Sequence, residues 1–224
     1  MIATSPSERV MWFIIIALLA FYFAGNWYNR RRGRALGRWI QLGLGVFGGR
    51  PAWRALGAIS AGAQVDITGA LRPFHRLEIQ YALLTRELPP LLAVEWFRGK
   101  RDLLILRGWC ANRPAAEFDV IPSVGALRSK LDAESPLPLE WREVAAGLGL
   151  ATTSPLDARL TSAIERFLSK CGPEVERLSL RQREPHLVLF LRLGRLEKAP
   201  SAELFKSLRQ LLAVFTSSGR DNGR

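Results

Sequence analysis

The stretch "VMWFIIIALLAFYFAGNWYNRRRGRALGRWI", residues 10–40, determines the architecture of this 224-residue chain. Its first 15 residues carry no charge and no strongly polar group. Extended to residue 28, the apolar segment rises about 28 Å as a helix, which is close to the roughly 30 Å hydrocarbon core of a bilayer. The sequence therefore predicts one transmembrane helix over residues 10–28.

Aromatic and basic side chains mark the ends of this span. Trp12 lies near one end, and Trp27 and Tyr28 lie at the other, where interfacial aromatics are enriched. Five arginines follow directly: Arg30, Arg31, Arg32, Arg34 and Arg38. An excess of arginine on one side predicts that this side is cytosolic, which leaves about nine residues outside. We expect a single-pass protein with its C-terminal domain in the cytosol, in a prokaryotic plasma membrane or in a eukaryotic endoplasmic reticulum.

The alternative to an anchor is a cleaved secretory signal. A signal needs a positive segment before the apolar run and small residues at a cleavage site. Here Glu8 and Arg9 cancel before the run, and bulky aromatics occupy its far end. The sequence favours an uncleaved anchor. The two cysteines, Cys110 and Cys171, have no metal-site or redox spacing and agree with a reducing cytosol.

The charge balance is strongly basic. The net charge is +12, and arginines outnumber lysines 27 to 5. Such a field attracts anionic lipid head groups, rRNA or other polyanions. A juxtamembrane arginine cluster is, however, also what membrane topology alone requires. The five arginines after the span are therefore candidate contacts for lipid or rRNA, and the sequence leaves both open.

A glycine-rich stretch, "QLGLGVFGGRPAW" at residues 41–53, follows the basic helix. Gly43, Gly45 and Gly48 have the G-x-G-x-x-G spacing of a dinucleotide loop, and Asp66 stands where a ribose-binding acid would be expected. Such a loop must follow a buried strand and open a helix, whereas residues 33–44 have a helical rhythm. The sequence favours a flexible hinge, and a nucleotide-binding enzyme is the weaker alternative. We predict no catalytic residue, cofactor or metal.

The remaining chain reads as an α+β domain. Residues 1–9 are predicted to lie outside the membrane, 29–70 to form a basic helix and hinge, 71–216 to form the cytosolic domain, and 217–224 to form a polar tail. The domain is predicted as a mixed or antiparallel sheet packed by helices. Predicted strands cover residues 63–68, 77–84, 101–109, 116–122, 174–183 and 186–193, and predicted helices cover residues 51–60, 88–99, 124–131, 139–147, 154–173 and 201–215.

Three local patterns sharpen this prediction. Ser123 is expected to cap the helix at 124–131, and Ser154 to cap the next long helix, with Pro155 at its first position and Asp157 completing a capping box. The strand at 186–193 is apolar on both faces, which predicts a central position in the sheet. In "EWFRGKR", residues 95–101, the aromatics could stack on bases, but they are expected to be core residues.

Three stretches carry a resemblance to a known family: "LEIQYALLTRELPPLLAVEWFRGKRDLLIL", "AEFDVIPSVGALRSKL" and "LPLEWREVAAGLGLATTSPLDARLTSAIERFLSKCGPEVERLSL". They resemble the cytosolic domain of the calumin-like family, the coiled-coil-domain-containing subunit of the PAT (protein associated with the translocon) complex. The last of these is similar to a helix, a glycine-bearing connection, a long helix and a strand. The anchor followed by a basic, tryptophan-containing helix also resembles the family, whereas residues 43–70 do not.

The resemblance implies a non-enzymatic accessory factor in the insertion and folding of membrane proteins. Its implied partners are the lipid bilayer, translocon or insertase components, the ribosome and a small membrane-protein subunit. The sequence lacks the family's acidic lumenal segment and its long Lys/Glu-rich tail, so neither calcium binding nor docking through that tail is carried over. Its arginine-rich composition would suit a short prokaryotic relative. A membrane-tethered scaffold of another envelope complex is the alternative.

Overall fold

The computed structural model describes residues 6–57, 60–123, 128–129, 131, 138–145 and 147–217. The helices are α1 (Pro6–Gly43), α2 (Pro89–Phe97), α3 (Ala158–Cys171) and α4 (Ser201–Ser217). The strands are β1 (Arg50–Ala55), β2 (Gly62–Thr68), β3 (Phe74–Ala82), β4 (Leu103–Cys110), β5 (Phe118–Pro122), β6 (Glu140–Ala145), β7 (Leu148–Thr152), β8 (Val175–Leu180) and β9 (Leu187–Arg192). Short 3₁₀ turns occupy Leu44–Val46, Gly172–Glu174 and Leu196–Lys198.

Helix α1 runs for 38 residues without a break. Its N-terminal part is long and apolar enough to cross a membrane, and only 6% of its most apolar 18-residue window is buried against the rest of the chain. The core helix of a soluble protein buries most of its surface, which α1 does not do. The predicted span and the predicted membrane-proximal helix are therefore one continuous helix.

The C-terminal half of α1 has a different environment. Its buried residues recur every three or four positions: Gly25, Asn29, Gly33, Leu36, Ile40 and Gly43. This spacing places them on one stripe of the helix. Leu36 and Ile40 are completely buried in the hydrophobic core of the domain. One helix thus presents an exposed apolar half and a half that is packed against the sheet domain.

The nine strands form one sheet in the order β1-β2-β3-β4-β9-β8-β5-β7-β6. Every strand pair among the described residues is antiparallel, so the α+β class with an antiparallel sheet is confirmed. Strand β9 is the fifth of the nine and pairs with β4 and β8. Its predicted central position is therefore correct.

One face of the sheet carries the hydrophobic core. Helix α4 lies over this face, with Phe205 packed against Phe47 and with Phe215 packed against Phe118, at ring-centroid distances of 5.0 Å in both cases. Phe47 also meets Phe74 of β3 edge-on at 5.7 Å. These aromatic contacts join the glycine stretch, both halves of the sheet and α4 into a single core.

Two predicted helices are strands. Residues 51–60 were expected to be a helix beginning at Pro51, but Pro51 lies in β1 and pairs with Ile67 of β2. All six residues of this edge strand are exposed, so no apolar alternation marks it, and an edge position tolerates proline. Within the predicted helix at 139–147, residues 140–145 form β6. Gly147, at φ +76°, turns the chain into β7, a strand that the sequence did not predict.

The long helix α3 begins later than predicted. Asp157 is its N-cap, and the Asp157 carboxylate accepts a hydrogen bond of 2.6 Å from the backbone N–H of Leu160. Ser154 and Pro155 therefore precede the helix. A carboxylate is as good a cap as a serine hydroxyl, so the sequence pattern fits both positions. The predicted end at Gly172 is correct.

The predicted helix at 124–131 with its Ser123 cap falls largely outside the described residues. Residues 1–5 and 218–224 also lie outside them.

The glycine stretch is not a separate hinge. The backbone N–H of Leu71 bonds to the carbonyl oxygen of Phe47 at 2.6 Å, and the Arg209 guanidinium donates to the carbonyl oxygen of Val46 at 3.0 Å. Strands β1 and β2 belong to the same sheet as the rest of the domain. The domain therefore begins before residue 71, where the sequence placed its boundary.

Two glycines of α1 provide a matched test of this packing. A Cβ at Gly43 would lie 2.6 Å from the Phe205 ring and 2.7 Å from the Ser201 hydroxyl, whereas a Cβ at Gly37 would meet nothing within 4 Å. We expect Gly43→Ala to destabilise the domain by about 1–3 kcal/mol through overpacking. Gly37→Ala should be neutral or stabilising because alanine is the better helix former. Thermal unfolding of the detergent-solubilised full chain measures both, and equal midpoints for the two variants would contradict this packing.

Candidate functional site

The junction between α1 and the sheet contains an ion-pair cluster of Asn29, Arg32, Arg86, Asp102 and Glu197, in which Asn29 and Asp102 are buried and the other three are partly buried. The Asp102 side chain is only 5% exposed. It accepts hydrogen bonds from both terminal nitrogens of Arg86, at 3.1 and 2.9 Å, and from the backbone N–H of Leu84 at 2.8 Å. The Nε of Arg32 lies 3.0 Å from the same carboxylate. This contact is an ion pair, but its geometry is not that of a hydrogen bond. Asp102 thus compensates two arginine charges beside the helix.

Asn29 and Gly25 bring α1 into direct contact with this cluster. The Asn29 amide donates to the carbonyl oxygen of Leu84 and accepts from Arg86, both at 2.9 Å. One turn earlier, a Cβ on Gly25 would lie 2.0 Å from the carbonyl oxygen of Arg86. Only glycine permits this approach between the helix and the segment that leads into α2. The Arg86 guanidinium also lies over the Tyr28 ring, 5.1 Å from its centroid.

The five arginines predicted to contact lipid or rRNA divide into three groups. Arg32 is inside the ion-pair cluster, where its Nη2 also bonds to Glu197 at 2.8 Å. Arg30 donates to Asn26 at 2.9 Å, and Arg31 lies over the Trp27 ring at 5.5 Å. Arg34 and Arg38 make no hydrogen bond or ion pair to another described residue.

Arg32 therefore holds the helix to the domain and is not available to bind lipid or rRNA. The prediction that all five arginines are such contacts is corrected for this residue. Charge patterning could not separate it from its neighbours, because its carboxylate partners are distant in sequence. The interfacial aromatics predicted at Trp12, Trp27 and Tyr28 are all exposed on α1.

Between α1 and the first strands lies an open groove, here called the arginine groove, with a volume of about 780 Å³. It is lined by Arg30, Gly33, Arg34, Gly37, Arg38, Gln41, Trp53, Ala63 and Tyr81. The three arginines recur every four residues and so lie on one face of α1. Gly33 and Gly37 provide the space, because neither carries a side chain that would fill the groove.

The arginine groove is suited to an anionic group. Its lining, all of it described, contains three guanidinium groups and no carboxylate. Guanidinium groups bind phosphate oxygens with charge-assisted hydrogen bonds. Burial raises the pKa of Tyr81, so its hydroxyl keeps its proton and remains a possible donor. The groove begins at Arg30, two residues after the predicted end of the membrane span.

The glycine motif does not form a dinucleotide loop. Gly43 ends α1, the 3₁₀ turn Leu44–Val46 follows, and the chain then enters β1. This order of helix, turn and strand is the reverse of the strand, turn and helix that such a loop requires. Asp66 is held by Gln64 at 3.0 Å and by Arg54 at 3.2 Å on the face of β2 opposite the core residues Val65 and Ile67. The structure does not bring these residues together as a nucleotide site.

Other candidate chemistry is sparse in the described part of the chain. No group of three or more His, Cys, Asp or Glu residues there could hold a metal ion. Burial raises the pKa of both cysteine thiols, Cys110 and Cys171, to about 12, so these thiols are protonated and poorly reactive. Burial also lowers the pKa of His186, whose neutral Nδ1 accepts from the backbone N–H of Cys110 at 3.0 Å.

A second cavity, of about 930 Å³, lies on the polar face of the sheet. Its buried Asp119 is satisfied by Ser179, Arg177 and Arg181. Sequence reasoning singled out neither Asp119 nor Asp102. The signal was available in both cases, since Asp119 interrupts an otherwise apolar strand and Asp102 immediately precedes one. A buried carboxylate in such a position needs a cationic partner.

The expectation that Trp96 and Phe97 are core residues is wrong. Their side chains are 61% and 84% exposed.

The chain matches no protein-family model and no curated protein sequence. The site's geometry is therefore the basis for assigning a function.

Asp102 offers a direct test of the junction. We expect Asp102→Ala to destabilise the domain by about 3–5 kcal/mol, because it leaves Arg86 without a carboxylate partner and Arg32 with Glu197 alone. The control is Glu176→Ala, which removes the exposed partner of Arg192, at 2.7 Å, and should cost less than about 1 kcal/mol. Denaturant unfolding in detergent measures both. Similar losses in the two variants would show that the ion-pair cluster does not hold the helix.

Proposed function

We propose that this chain is a single-pass, cytosol-facing accessory factor in the insertion or folding of membrane proteins, and that it acts by binding rather than by catalysis. The observation that carries the proposal is the continuity of α1. One unbroken helix exposes an apolar, membrane-length half and packs its other half onto the domain. The domain is therefore held at a fixed distance from the bilayer, and no flexible linker separates it from the anchor.

The continuity of α1 also favours an anchor over a cleaved signal. A secretory signal ends in small residues at a cleavage site. Residues 20–28 are instead helical and include large aromatics, and α1 contacts the domain from Gly25 onward. Cleavage in this region would separate the apolar half of α1 from the half that packs on the domain.

The arginine groove supports the choice of partners. It contains three guanidinium groups on the domain side of the predicted membrane boundary, and neither Arg34 nor Arg38 makes a hydrogen bond or ion pair to another described residue. Anionic lipid and rRNA both present phosphate to such a surface. The resemblance to the calumin-like family favours the ribosome, translocon or insertase components and a small membrane-protein subunit as the neighbours. In that setting the anchored domain would bind beside the site at which client helices enter the membrane.

Salt-graded co-sedimentation with ribosomes tests the proposal. We expect the detergent-solubilised chain to pellet with ribosomes at low salt and to be released steeply as salt rises. Arg34→Gln with Arg38→Gln should weaken pelleting and lower the slope of log affinity against log salt by about 2. The matched control is Arg159→Gln with Arg166→Gln, two exposed positions on α3, which removes the same charge from another surface.

The outcomes separate the candidate roles. No pelleting at low salt would exclude a ribosome partner. Equal weakening by both double variants would assign the effect to net charge and not to the arginine groove. Cross-linking in intact membranes followed by mass spectrometry then identifies the neighbours. Insertase or translocon subunits would support the proposal, and an unrelated envelope complex would identify a membrane-tethered scaffold instead.

A further inference from the structure

Helix α2 turns its apolar side chains outward and its only charged side chain inward. Leu91, Val94, Trp96 and Phe97 are all exposed, and no residue of α2 is buried. Glu95 faces the domain, where its carboxylate accepts a hydrogen bond of 3.1 Å from the backbone N–H of Thr85. A helix on the surface of a soluble domain shows the opposite pattern, with its apolar stripe toward the core. The outer face of α2 is therefore built for an apolar environment.

The start of α2 lies at the predicted boundary of the membrane. The contact between Gly25 and the backbone of Arg86 places the segment before Pro89 directly against α1. Gly25 is three residues inside Tyr28, the end of the predicted span, which is about 4.5 Å along the helix axis. The chain that leads into α2 thus touches α1 at or just inside the level where the lipid head groups begin.

Basic residues follow the apolar face. Gly99, at φ +74°, ends the helical turn, and Arg98, Lys100 and Arg101 are exposed around it. Lys100 forms one exposed ion pair with Glu95 at 3.3 Å. Tryptophan and phenylalanine beside lysine and arginine are typical of helices that lie in the plane of a membrane interface. Their cationic side chains suit anionic lipid phosphates, which favours lipid over an apolar protein surface as the occupant.

We propose that α2 lies in the head-group region of the bilayer that α1 crosses, with Trp96 and Phe97 at the acyl-chain boundary and with Arg98, Lys100 and Arg101 at lipid phosphates. This inference rests on the anchoring of α1 in the proposed function and adds a second attachment away from the α1 axis. Two attachments fix the rotation of the domain about α1. They therefore fix the direction in which the arginine groove opens.

Depth-dependent quenching in proteoliposomes tests this placement. Full-length chains carrying Phe97→Cys, Phe13→Cys or Ser169→Cys are labelled with nitrobenzoxadiazole and reconstituted in phosphatidylcholine and phosphatidylglycerol with a lipid that carries a nitroxide near its head group. Cys110 and Cys171 are buried and have thiol pKa values of about 12, so the introduced cysteine is the reactive one. Phe97 is 84% exposed, so its replacement removes no core packing.

The two companion positions calibrate the result. Phe13 lies on the exposed face of the apolar half of α1. Ser169 lies next to Lys170, whose ammonium group donates a hydrogen bond of 2.9 Å to Ser207 of α4. Two residues earlier on α4, Phe205 packs on Gly43. Gly43 is 18 residues past Gly25, about 27 Å along α1. Position 169 therefore reports a part of the domain that is distant from the membrane.

We expect the nitroxide lipid to quench positions 13 and 97 at least threefold more strongly than position 169, and we expect a blue-shifted emission at 97. If position 13 is quenched but position 97 is quenched no more than position 169, the interfacial placement of α2 is overturned and the anchor stands. No quenching at 13 would overturn both the anchor and this inference. Trp96→Cys, labelled in the same way, provides a second position on α2 and should agree with position 97.

Discussion

The close packing of α1 on the sheet domain is the constraint on which the rest of the structure depends. Gly25 and Gly43 allow backbone and ring to approach the helix at the two ends of the contact, and Leu36 and Ile40 fill the core between them. At the Gly25 end of the contact, Asp102 forms ion pairs with an arginine of α1 and with one of the segment before α2, and Glu197 supplies the second negative charge. A helix docked in this way fixes the orientation of its exposed apolar half relative to the whole domain.

The polar surfaces of the domain follow from that docking. With Arg32 holding α1, three of the other four arginines, Arg30, Arg34 and Arg38, line the groove between α1 and the first strands. The segment that leads into α2, a helix with an exposed apolar face, also contacts α1, since Arg86 touches Gly25 just before α2 begins. Open guanidinium groups and an exposed apolar surface thus both adjoin α1.

The sequence predicts the elements whose signals are local and strong. The amphipathic α3 and α4 are recovered because burial imposes a helical period that is visible in the residues themselves, and the apolar half of α1 and the doubly apolar β9 are recovered as continuous apolar runs. It fails for β1 and β6, whose strand conformation depends on pairing with β2 and β7 and not on a buried face of their own. It also fails at Arg32, Asp102 and Trp96. Whether a charge is paired or an aromatic is exposed depends on residues that are distant in sequence.

Protease protection in sealed membrane vesicles tests the central claim most directly, namely that the apolar half of α1 stays in the lipid and holds a cytosolic domain at the inner surface. In right-side-out vesicles, an added broad-specificity protease should leave a fragment that contains all of the sheet domain and still begins within the first few residues of the chain. The same protease should degrade the domain in inside-out vesicles. Digestion of the domain from the outer side, or recovery of a mature chain that begins after residue 24, would contradict the account.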